Sequence, residues 1–108
     1  MTNKTYEPDS FGAYFVKLIK DHNYSQIKFA KELGISKTYL FDIFNSRVKP
    51  PTPAMQERIV KLLHLRNEER NEFFTRAANG RNELPKDIVE YLINNQSEID
   101  SIRNRIGG

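Results

Sequence analysis

An all-α fold is predicted by three observations. The apolar residues recur at helical spacing, no stretch alternates with a period of two, and a capping residue stands ahead of most apolar runs. At 108 residues the chain suits one domain with an appended piece rather than two independent cores. Residues 1–8 are polar, end in Pro8 and read as a loose arm. Asp9 or Ser10 then caps a first helix whose apolar face is Phe11, Phe15, Leu18 and Ile19. Residues 21–24 turn into a second helix, capped by Ser25 and running to about residue 33, with Ile27, Phe29, Ala30 and Leu33 apolar. Ser36 caps a third over residues 37–44.

After a loop over residues 45–51, Thr52 followed by Pro53 supplies a cap and a proline at the first helical position. That fourth helix runs to about residue 64, with Met55, Ile59, Leu62 and Leu63 inward. Asn67 caps a fifth, whose acidic first turns suit the helix dipole and whose buried side is Phe73, Phe74 and Ala77; Asn79 and Gly80 stop it. A sixth helix is expected over residues 85–94, with Ile88, Val89, Leu92 and Ile93 apolar. Ser97 with Asp100 starts a short seventh carrying Ile99, Ile102 and Ile106. The boundary falls near residue 79: a five-helix domain over 1–79, and a C-terminal helical hairpin over 80–108.

Composition narrows the functions. Residues 1–66 carry eleven Lys/Arg against six Asp/Glu, whereas residues 67–108 carry six against eight. A basic front half suits a polyanion, and the acidic rear half should face away from it. The absence of cysteine excludes disulfides, thiolate catalysis and zinc fingers, and fits a reducing cytoplasm. No apolar run approaches the ~20 residues of a membrane span, and the polar start lacks a signal-peptide core, so a soluble cytoplasmic protein is expected. His22 and His64 have no serine, cysteine or metal-ligand spacing around them. Neither an enzyme nor a bound cofactor or metal is therefore anticipated.

The run over residues 25–51 is the most specific signal. It reads as two short helices joined by a tight turn and flanked by basic residues, a device for reading DNA. Ala30 is small so that the next helix can cross close by, and Gly34 supplies the positive φ of the turn. Leu40 and Ile43 are the buried rungs of the helix that follows. With this spacing, residues 11 to about 65 resemble the helix-turn-helix of the lambda-repressor and Cro family, also called the XRE family.

The resemblance implies a five-helix DNA-binding domain, with the helix-turn-helix over about 25–45, whose third helix enters the major groove. Lys37, Thr38, Phe41 and Asp42, on the exposed face near its start, then become the base-reading candidates. Lys37 can donate to guanine, Thr38 can bond a base or phosphate, Phe41 can meet a thymine methyl, and Asp42 can accept from cytosine. Phe41 could instead pack against the fourth helix or a second subunit, and Asp42 could pair with Arg47. Phosphate contacts fall to Gln26 and Lys28 at the start of the second helix, to Tyr39, and to Arg47 and Lys49 in the loop. Relatives often carry an acidic residue and a glycine after the third helix. Here Phe44 and Ser46 stand instead, so Asn45 is expected to take the left-handed conformation.

The implied function is a sequence-specific transcriptional regulator, a repressor binding double-stranded DNA at an inverted repeat as a homodimer. Ile88, Leu92, Ile99, Ile102 and Ile106 supply the dimerisation face, unless the tail folds back as a lid on the fourth and fifth helices. Two alternatives stay open: the antitoxin of a toxin-antitoxin pair, and an interaction module that reuses the helix-turn-helix. A toxin or an antirepressor would be the protein partner.

Overall fold

The computed structural model describes residues 6–107 and is helical throughout, with α1 over Phe11–Asp21, α2 over Gln26–Leu33 and α3 over Lys37–Phe44. It continues with α4 over Pro53–Leu63, α5 over Asn67–Arg81, α6 over Lys86–Ile93 and α7 over Gln96–Gly107. The arm expected over residues 1–8 lies partly outside the described residues.

Capping chemistry sets most of the starts. The hydroxyls of Ser10, Ser25, Ser36 and Thr52 accept from the N–H three residues on, at 3.0, 3.0, 3.0 and 3.4 Å. The ends share one device. Asn23, Gly34, Ser46, His64 and Asn82 adopt positive φ. In each case the next residue's N–H reaches back to a carbonyl five residues earlier, as from Ile35 to Ala30 at 3.0 Å and from Arg47 to Asp42 at 2.9 Å. Tyr24, Ile35 and Leu65 follow three of these turns and pack on or within the core.

Four boundaries differ from expectation, each for a local reason. Ser46, rather than Asn45, takes the left-handed conformation, with φ 60°. Asn45 stays at φ −92° because its side-chain amide donates to the Phe41 carbonyl at 2.7 Å, the geometry of a continuing turn. Asn67 is the first residue of α5 and not its cap. The cap position is Arg66, whose carbonyl accepts from Glu69 and Arg70 while the buried Leu65 fixes the chain just before it. Asn79 and Gly80 lie inside α5, which ends at Asn82. Gly80 serves close packing: a Cβ there would stand 2.4 Å from Pro50 Cγ. Lastly, α7 opens at Gln96, a residue before the expected Ser97.

Aromatic rings fill the centre. Phe15 is fully buried and meets Phe29 and Phe44 edge-on, both at 5.7 Å between ring centroids, and Phe73 at 6.2 Å. The edge-on pairs add about 0.5 to 1.5 kcal/mol each beyond area burial. α1 crosses α3 so closely that Gly12 lies against the carbonyls of Ile43 and Phe44. Arg58 on α4 donates to the Leu33 carbonyl at 2.6 Å, tying α4 to the end of α2. Gln56, also on α4, is buried and donates to the Pro51 carbonyl at 2.8 Å.

The C-terminal pair departs from this packing. α6 rests on α5, where Lys86 pairs with Glu57 of α4 at 3.1 Å and with Glu90, and α7 packs chiefly on α6. Neither helix has a fully buried residue. The molecule is elongated, 58 × 25 × 22 Å.

Candidate nucleic-acid interface

The burial of Leu40, Ile43 and Phe44 fixes the rotation of α3, since a helix that turns those three inward must turn Lys37, Thr38 and Phe41 outward. Lys37 and Thr38 are exposed at its first turn, beside the Ser36 cap. Phe41 is 36% exposed, its ring edge resting on Phe44 with centroids 6.0 Å apart. It is therefore in part at the protein surface. Asp42 is half-buried and meets Arg47 at 3.4 Å, while the Arg47 side chain stays 67% exposed. An exposed pair of this kind contributes at most ~1 kcal/mol, so a phosphate can draw Arg47 away.

Tyr39 is half-buried against the core. Gln26 opens α2 and is half-buried. Lys28 is exposed, with its ammonium 5.6 Å from the Tyr24 ring centroid. Lys49 is exposed in the loop after α3, just ahead of the buried Pro50. That loop is held at both ends. The Arg47 N–H bonds the Asp42 carbonyl at 2.9 Å, and Arg81 Nη1 donates to the Pro50 carbonyl at 3.0 Å. Ser46 through Pro50 border a concave surface closed on its far side by the start of α1 and by Arg76, Asn79 and Gly80 of α5.

The start of α3 and the loop that follows it thus flank a single helix, with Lys37 at its beginning and Arg47 and Lys49 beyond its end. A groove-entering helix needs this order, with base-reaching side chains in front and phosphate-reaching cations behind. Two apolar residues also lie at the surface. Val48, between Arg47 and Lys49, is 39% exposed, and Ile27 on α2, expected with the apolar residues of that helix, is 62% exposed. Helical spacing explains Ile27, because turning Phe29, Ala30 and Leu33 inward leaves it outside that arc.

No helix among the described residues is long and apolar enough to cross a membrane. Neither a characterised protein nor a solved structure matches the chain. Residues 17–66 match the helix-turn-helix family, a span that runs from the middle of α1 to the turn after α4 and contains α2 and α3 entire. Over that span, 50 of the 108 residues, the chain carries a lambda-repressor-like helix-turn-helix domain, the domain of a DNA-binding regulator.

Proposed function

We propose that the protein is a cytoplasmic, sequence-specific transcriptional repressor that binds an inverted-repeat operator as a homodimer. Lys37, Thr38, Phe41 and Asp42 read bases; Gln26, Lys28, Tyr39, Arg47 and Lys49 hold phosphates; the apolar residues of α6 and α7 join two copies. The observation that carries this reading is the polar, exposed first turn of α3 set beside the basic loop. A dimer follows from selectivity, because one small module contacts too few base pairs to single out a site in a genome. With about four phosphates held per subunit, log affinity should fall with log salt at a slope of about −3 to −4 per monomer.

Selection of bound DNA from a random-sequence pool at about physiological salt tests the proposal. An enriched inverted repeat with half-sites about one helical turn apart supports it. Absence of enrichment from a folded sample rejects it. The exposure of Ile27 and Phe41 favours a second reading, in which this face binds a protein. Neutralising Lys37, Arg47 and Lys49 together separates the two, since it abolishes DNA binding and spares an apolar protein contact.

A further inference from the structure

Helices α6 and α7 hold a row of apolar residues that their own chain covers only in part, Leu92 and Ile99 being half-buried. Ile88 is 44%, Ile102 39% and Ile106 81% exposed. Ile88, Leu92, Asn95, Ile99, Ile102 and Ile106 follow one another at steps of four, three, four, three and four. That is the heptad spacing of a coiled-coil seam, with Ile88 and Leu92 on α6, Ile99, Ile102 and Ile106 on α7, and Asn95 at the joint that separates the two helices. The positions farthest from the seam in each heptad are Glu90, Ser97 and Asn104, all polar. Within one chain only one strand of such a seam exists. The apolar side of α5 is already spent on the core through Phe73, Phe74, Ala77 and Ala78.

The flanking charges indicate what completes it. Glu98 and Arg103 border the seam five residues apart, the offset at which side chains of two parallel strands meet across a coiled coil. Arg103 has no ion-pair partner among the described residues. Glu98 receives only the Tyr91 hydroxyl at 3.4 Å. Asn95 sets the orientation. Parallel, in-register strands place its amide against the same amide, where the two can hydrogen-bond, whereas antiparallel strands place it against an apolar residue, Ile99 at full overlap, with its polar atoms unmatched.

We infer that a second copy of this chain occupies the face, through a parallel, in-register pairing of the C-terminal helices in which Glu98 of each copy meets Arg103 of the other. The inference deepens the dimer reading above and rests on it.

Sedimentation equilibrium on the full chain and on two variants, Glu98→Arg and Arg103→Glu, tests the pairing. Each variant alone sets like charges together twice per dimer, and its dissociation constant should rise about tenfold. Mixing the two should restore association to near the wild-type level, because both cross-pairs are then complementary. A purely intramolecular role for either residue cannot give that result. A wild-type dimer with variants unchanged, or a mixture no tighter than its components, overturns the pairing and leaves the dimer reading standing. A wild-type chain still monomeric at ~100 μM overturns both. For orientation, Ile106→Cys in this cysteine-free chain should yield a disulfide-linked dimer on mild oxidation. A persistent dimer that fails to cross-link overturns the parallel register.

Discussion

Gly12 on α1 faces the carbonyl of Phe44, the last residue of the reading helix, so closely that a Cβ on Gly12 would stand 2.0 Å from that oxygen. The obstacle is backbone and cannot swing aside. Gly12→Ala should destabilise the protein by about 3 kcal/mol or more, measured by chemical denaturation. Gly107→Ala, where a Cβ meets open space, serves as the control and should change stability by less than about 1 kcal/mol.

Asp42 separates two roles by one substitution. If its carboxylate accepts from cytosine, Asp42→Asn relaxes the preference at one base pair. If it only holds Arg47, binding tightens on every sequence as a negative charge leaves the DNA-facing surface. With Asp42 among the base-reading residues the first result is expected, a several-fold loss of discrimination at that base pair, read from binding isotherms on operator and scrambled duplexes; uniform tightening would instead reduce Asp42 to a brace for Arg47. Lys37→Ala, by contrast, should cost about 1 to 3 kcal/mol on the operator alone.

His64 ends α4 at φ 55°, a conformation that costs a residue with a Cβ about 1 to 2 kcal/mol. His64→Gly should relieve part of that strain and stabilise the domain by about 0.5 to 1 kcal/mol, seen as a raised denaturation midpoint. The same change at Gly34 runs the other way. Gly34→Ala, at φ +79°, should lower stability by about 1 kcal/mol.

Tyr14 predicts an alkaline weakness. Its hydroxyl is buried without a hydrogen-bond partner, and burial, followed by the Glu72 carboxylate, pushes its pKa up to about 12. Below pH 10 folded and unfolded chains both keep the proton. Between about 10 and 12 the unfolded chain loses it first, so stability falls as pH rises through that window, by about 1 kcal/mol once solvent screening is allowed for. Tyr14→Phe should remove this part of the slope and leave stability at neutral pH unchanged or slightly higher, as followed by denaturation at stepped pH.

The order and type of all seven helices were legible in the sequence because serine and threonine caps and helical periodicity are local signals. The exposed face of α3 was legible for the same reason: once Leu40 and Ile43 are recognised as inward, Lys37, Thr38 and Phe41 must point out. What was not legible depends on approach between distant segments. Gly80 resembles a helix stop until Pro50 is seen against it, and Gly12 resembles an ordinary helical glycine until α3 crosses it. On α4, Gln56 is buried and donates to the Pro51 carbonyl, and the exposed Arg58 donates to that of Leu33, contacts that no local pattern announces. Ser46 took the left-handed place because the Asn45 amide had a nearer acceptor in Phe41.

The grip of Gly80 and Arg81 on Pro50 joins two parts of the molecule with different tasks. Pro50 closes the loop bearing Arg47 and Lys49, and the last turn of α5 is where the C-terminal helices depart. The loop proposed to hold phosphates and the shoulder of the tail are therefore tied together. In a tail-held dimer this linkage acts as a ruler, and an operator lengthened or shortened by a base pair between its halves would have to be twisted to fit.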